Sequence, residues 1–176
     1  MSKTVIPFIA RLVQFNTTLP FADVIARLDV EVKKFSSRGN TIAKMSRVKN
    51  QQELKSVVEE AAGNDFLYFM EIQHHKLLKF ADGIDRPRIV VYTIGNPLFA
   101  QPIMRYNPLA AYSIPPRLLI IQKPDGTGTT VSYHLPSSVM GMPVGENEPN
   151  LQMELKALDE KVEKLVQRIT AVQSSM

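Results

Sequence analysis

The sequence predicts an α+β domain built on a sheet of about five strands, with one long helix at its C-terminal end. Three observations carry this. Short apolar runs of strand length recur near residues 8–16, 66–72, 88–94, 117–122 and 129–134. An amphipathic helical pattern separates the first run from the second. A single apolar stripe at alternating spacings of four and three closes the chain. The 176 residues, 44% of them apolar, suit one domain over 1–176 with an ordinary core.

The elements follow in order. Val5 to Thr17 is rich in β-branched and aromatic residues and reads as a strand, ended by Thr17, Thr18 and Pro20. Phe21, Val24, Ile25, Leu28, Val32 and Phe35 then recur at helical spacing, giving a helix that ends near Ser36-Ser37-Arg38-Gly39. Residues 40–64 are polar and basic, with a short helix over Gln51–Ala62 closed by Gly63-Asn64. Phe66–Ile72 is a strand leading into one or two helical turns from His74 to Phe80, stopped at Gly83. Arg88–Ile94 is nearly all apolar and reads as a strand buried on both faces. Leu118–Gln122 and Thr129–His134 flank Lys123-Pro124-Asp125-Gly126, a hairpin turn signal. Pro136–Asn150 reads as a linker. Leu151, Leu155, Leu158, Val162, Leu165, Ile169 and Val172 define a helix over 150–172. Its stripe widens at Val166, and a parallel dimer would set Glu154 against Asp159, so packing on the chain's own sheet is favoured over a zipper.

Composition narrows the function. Zero cysteines remove disulfides, thiol nucleophiles and thiolate metal sites. No spanning apolar run and no secretory signal are read, which points to a cytoplasmic protein. The formal charge of +4 is concentrated between Arg27 and Lys55, where eight basic residues face three acidic ones. No aromatic stacks lie among them, so a solvated basic face is favoured over nucleic-acid binding.

Gly95 to Arg117 (GNPLFAQPIMRYNPLAAYSIPPR) reads as a proline-stiffened loop in which Arg105 and Arg117 are the charged residues. A loop is normally polar because it faces water. This one therefore packs on its own fold, on a second subunit or on a ligand.

The series IVVYTIGNP, QPIMRYNPLAAYSIPPRLLI and PDGTGTTVSY resembles domain-of-unknown-function family 302. The matching residues are Gly95, Asn96, Pro97, Pro102, Met104, Pro108, Pro115, Asp125, Gly126 and Tyr133. The likeness covers 11–140, densest over 89–133. It implies a TATA-box-binding-protein-like β-α-β(4)-α arrangement, with a curved antiparallel sheet, helices on one face, and a homodimer. Three features depart from that pattern: an inserted basic segment over 36–64, Gln73 where the family has an acidic residue before its histidine, and a long, regular C-terminal helix. Fold alone assigns no activity.

Candidate chemistry centres on five residues. His75 follows a strand end at the position of the family's histidine, and a neutral imidazole there can take a proton. Its bland alternative is to begin the short helix. Asn96 is placed to bond either its own backbone or a ligand carbonyl, with the backbone favoured. Met104, Arg105 and Tyr112 complete a set that would line an apolar pocket or an interface. His74 and His75 diverge and cannot share a metal easily, so no metal site is read, and no cofactor motif is present. The expectation is a protein that binds an apolar small molecule without a metal, as a binder or an enzyme. The alternative is a homodimeric interaction module. A homodimer to which 97–116 contributes is expected in either case.

Overall fold

In the computed structural model, which describes residues 1–37, 41–142 and 148–172, the strand-forming runs pair into one open sheet. The strands are β1 Leu12–Thr17, β2 Leu67–Gln73, β3 Ile89–Gly95, β4 Arg117–Gln122 and β5 Thr129–His134. Their order is β1-β5-β4-β3-β2, and every neighbouring pair is antiparallel. The turn between β4 and β5 is held by Asp125, whose Oδ1 accepts from the Thr127 amide at 3.0 Å.

The helices are α1 Phe21–Glu31, α2 Lys34–Ser37, α3 Thr41–Met45, α4 Gln51–Ala61, α5 His74–Asp82, α6 Pro97–Tyr106, α7 Pro136–Met140 and α8 Pro149–Thr170. Without the short helices between strands, the order is β-α-β(4)-α, as expected. Leu151, Leu155, Leu158, Val162, Leu165, Val166 and Ile169 of α8 are buried in one cluster with Val24 and Leu28 of α1 and with Val90, Tyr92, Ile94, Leu118 and Ile120 of the sheet. The C-terminal stripe therefore packs on its own sheet, and Val166 is the widening that a broad contact needs. Val172 lies beyond the helix and is exposed.

Five expectations change. The first strand begins at Leu12, and Val5, Ile6, Phe8 and Ile9 ahead of it are exposed. β3 is not buried on both faces: Val90, Tyr92 and Ile94 point into the core, while Val91 and Thr93 are half-buried on the other side. Helices cover one face of an antiparallel sheet here, so burial alternates.

The first helix stops at Glu31. Lys33 takes a left-handed φ of 47°, and Phe35, on the continued stripe, is 74% exposed. The break is fixed from outside the helix. A Cβ on Gly63 would stand 1.6 Å from the Glu31 carbonyl oxygen, so only glycine lets that loop close on the helix end. The Asn64 amide then donates to the same carbonyl at 3.3 Å. Of the helix end expected at 36–39, Arg38 and Gly39 lie outside the described residues.

The segment read as a proline loop is mostly helical. α6 is followed by a 3₁₀ turn over Pro108–Ser113. Asn96 and Asn107 each accept an amide hydrogen bond two residues on, from Leu98 at 2.9 Å and Leu109 at 3.2 Å. Each is followed by a proline at the first helical position, where a missing N–H is harmless. Ile103 and Ala110 are fully buried and α6 lies against α8. The segment is apolar chiefly because it packs on its own chain. Leu109 and Tyr112 stay exposed, Tyr112 at 98%.

Finally, the linker expected over 136–150 contains α7 and the start of α8, with residues 143–147 outside the described set.

Candidate functional site

Two recesses flank the β2–β3 edge of the sheet. The first is apolar. The β2–β3 register skips one residue between Tyr68 and Met70, which leaves Phe69 unpaired as a bulge. The bulge turns Phe69 over Gly95. A Cβ there would stand 2.8 Å from the Phe69 ring and 3.0 Å from Pro115 Cβ, so the bare glycine backbone lets the two rings close. The Ile114–Pro115 peptide bond is cis. α6 starts immediately after Gly95 and swings Phe99, Ala100 and Met104 round the opening. Phe66 and Phe99 meet edge to face at 6.1 Å between centroids, and Leu158 of α8 contributes to the lining. The volume of this recess is ≈ 280 Å³.

No titratable side chain lines this cavity. Its polar groups are engaged elsewhere. Asn96 Nδ2 donates to the Asp65 carbonyl at 2.8 Å while its Oδ1 caps α6. Gln101 exchanges hydrogen bonds with Gln51 at 3.0 and 3.2 Å. The recess can hold an apolar body and offers no group for proton transfer.

The second recess is a polar cleft of ≈ 390 Å³ between α1, the ends of β2 and β3, and the start of α5. The break after Glu31 carries Lys34 into it. Lys34 Nζ lies 2.8 Å from Glu71 Oε2 and 3.3 Å from Asp29 Oδ1, and donates to the Tyr92 hydroxyl at 2.9 Å. Tyr92 in turn donates to Asp29 Oδ1 at 2.7 Å. Burial alone would push Lys34 down, but its hydrogen bond to Glu71 and the charge of Asp29 hold it above the ordinary lysine value. Burial would raise Glu71, but hydrogen bonds led by that from Lys34 keep it below the ordinary carboxylate value. Burial, together with the hydrogen bond to Asp29, pushes the Tyr92 phenol far up. The cluster is therefore an ion pair bridged to a tyrosine that stays protonated at neutral pH.

The sequence-derived residues are split between these places. Asn96 and Met104 line the apolar cavity, whereas Arg105 and Tyr112 do not. His75 lines the polar cleft. Its Nδ1 is 3.0 Å from the Ile89 carbonyl oxygen and 3.3 Å from the Ile89 amide. Nδ1 donates to the carbonyl in one tautomer and accepts from the amide in the other, so either form ties the ring to Ile89. The ring thus adds a rung where the β2–β3 ladder ends. His134 ends β5, three strands from β2 at roughly 4.8 Å per strand. Among the described residues no group of three His, Cys, Asp or Glu side chains is placed to hold a metal. No described helix is long and apolar enough to cross a membrane.

Sequence reasoning missed Asp29, Lys34 and Tyr92. One signal was present: a tyrosine inside an apolar strand needs a partner for its hydroxyl. Lys34 carried none, because its place depends on a helix break set by Gly63.

The model of the family described as Domain of unknown function DUF302 matches residues 42–169. The match takes in α3, α4 and α8 and leaves out β1 and α1. No curated protein matches the chain. Among solved structures, the crystal structure of uncharacterized conserved protein DUF302 from Bacillus stearothermophilus is similar, with a TM-score of 0.61 at 17% identity over 90% of this chain and 97% of that one. At that identity the likeness bears on the fold alone.

Proposed function

The chain belongs to the family of domain of unknown function DUF302, and from that premise we propose that it binds a small apolar molecule in the cavity between β2, β3 and α6. One observation carries the reading: a recess of ≈ 280 Å³ with apolar walls and no titratable lining residue. An apolar cavity of about 150 Å³ holds benzene, so this one fits a body of about ten non-hydrogen atoms, such as a bicyclic aromatic. The absence of an acid, base or nucleophile in the walls favours binding over catalysis there.

Native mass spectrometry of the purified protein tests for a retained ligand, and calorimetry with indole tests the site. Ala100→Phe places a ring in the cavity from a half-buried helical position. It is expected to abolish indole binding while leaving the unfolding midpoint within a few degrees of wild type. Equal indole affinity in the two proteins would remove the proposal.

A second reading has its own support. α5 has no buried residue, and Leu77, Leu78 and Phe80 on it are exposed. Val5, Ile6, Phe8 and Ile9 add a second exposed apolar stretch. Apolar surface of this extent favours a homodimer, formed through α5 and the N-terminal arm and not chiefly through 97–116. Light scattering at micromolar concentration tests the dimer. A particle of 19.8 kDa would rule the dimer out.

A further inference from the structure

We infer that the polar cleft is a second binding site, for a small organic oxyanion: a carboxylate or phosphate carried on a compact apolar body. The cleft is lined by both kinds of surface. Phe21, Ile25 and Val90 form an apolar side. Lys76 and Arg88 stand at its mouth, and among the described residues neither has an ion-pair partner. The Arg88 guanidinium is held 5.6 Å from the Phe21 ring centroid, so its flat fork is steadied against the apolar wall. A guanidinium presents paired donors that match the two oxygens of a carboxylate or phosphate.

The acids in the cleft do not cancel this attraction. Glu71 is bonded to Lys34 and also accepts from Gln73 Nε2 at 3.0 Å. Asp29 lies behind the cleft, bound to Lys34 and Tyr92. Lys34, Lys76 and Arg88 against Glu71 and Asp29 leave one net positive charge, and the two cations at the mouth face solvent. His75 adds direction. With Nδ1 engaged by the Ile89 backbone, Nε2 is the ring nitrogen left to meet a ligand. The recess is separate from the apolar cavity, since the two share no lining residue.

The probes are benzoate, which joins a carboxylate to an apolar ring, and inorganic phosphate, with benzamide as the uncharged match to benzoate. Amide chemical shifts are followed in the full chain at constant ionic strength. Benzoate is expected to bind at millimolar concentration and to shift residues 73–76 and 88–92, whereas benzamide does not. Binding of phosphate as well extends the site to phosphate esters; binding of benzoate alone limits it to carboxylates. Arg88→Gln, at an exposed position, should weaken benzoate about tenfold. Ile25→Trp, which narrows the apolar side, should weaken benzoate and leave phosphate unchanged. Ala100→Phe should change neither, which separates this site from the cavity. Three results would each overturn the inference: no shifts with either anion, equal shifts with benzamide, or undiminished benzoate binding by Arg88→Gln.

Discussion

Lys34→Met removes the ammonium that bridges Glu71, Asp29 and Tyr92. The side chain of Asp29 is 9% exposed and that of Glu71 20%, so two carboxylates would be left partly buried beside a tyrosine hydroxyl. Removing one partner of a fully buried pair costs about 3–5 kcal/mol. Water reaches Lys34 and Glu71, which lowers the expectation to about 2–3 kcal/mol. In a chain of this length that corresponds to a fall of roughly 5–10 °C in Tm. Thermal unfolding followed by circular dichroism at two pH values measures it.

The pH dependence has a definite sign. In the wild type the folded pKa of Glu71 lies below its ordinary value. The stability it contributes is present above the ordinary value and is lost as pH falls through the folded one. Without Lys34, the effect of burial on Glu71 dominates and raises its pKa. The variant is then worst at neutral pH and recovers relative to wild type on acidification, as Glu71 takes up a proton. Glu71→Gln in the Lys34→Met background should recover part of the loss at neutral pH, and the pair should couple by about 0.5–3 kcal/mol. A Lys34→Met protein within about 0.5 kcal/mol of wild type, or a deficit that grows in acid, would refute the reasoning.

Two further outcomes are expected. Asn107 is buried, with Nδ2 donating to the Met140 and Met142 carbonyls at 2.8 Å each, so Asn107→Ala should lower stability in urea by about 2–3 kcal/mol through the stranded carbonyls and amide; a loss under about 1 kcal/mol would mean that water replaces the side chain. Burial raises the Asp159 carboxyl even though Oδ1 accepts from the Ser137 amide at 2.8 Å, so the stability it contributes is complete in acid and declines as pH rises through the folded pKa; Asp159→Asn, which keeps an acceptor, should therefore gain on wild type between acid and neutral pH, and parallel pH profiles would contradict this.

The sheet was legible because its strands obey local rules. Apolar runs bounded by Gly, Pro and Asx turns located all five, and the Asp125–Gly126 turn paired β4 with β5 without reference to the rest of the chain. α8 was legible for the same reason, since seven apolar residues at helical spacing admit little else. The apolar cavity was half legible. Its neighbourhood followed from the apolar character of 95–116, yet the helices inside that stretch did not. The repeated Asn-Pro-Leu at 96–98 and 107–109 was the missed signal: inside a stretch that reads as a loop, it twice starts a helical turn. The polar cleft could not be read in advance. Lys34, Glu71 and Tyr92 meet only because α1 breaks, and α1 breaks against a loop more than thirty residues downstream. His75 was found, but its role as a ladder rung depends on a backbone group fourteen residues away.

That loop, Gly63 to Phe66, has a wider reach than its length implies. At one end Asn64 holds the tip of α1 through both the carbonyl and the carboxylate of Glu31. At the other, Asp65 offers its carbonyl to Asn96 at the root of α6 and its carboxylate to Lys161 of α8 at 2.7 Å. Four residues thus act as a keystone between two recesses that share no wall. Surface connections usually absorb an extra residue with little effect. An added residue here would slacken the seat of Lys34 and the mouth of the cavity together, so this spacer tolerates an insertion less well than an ordinary surface connection.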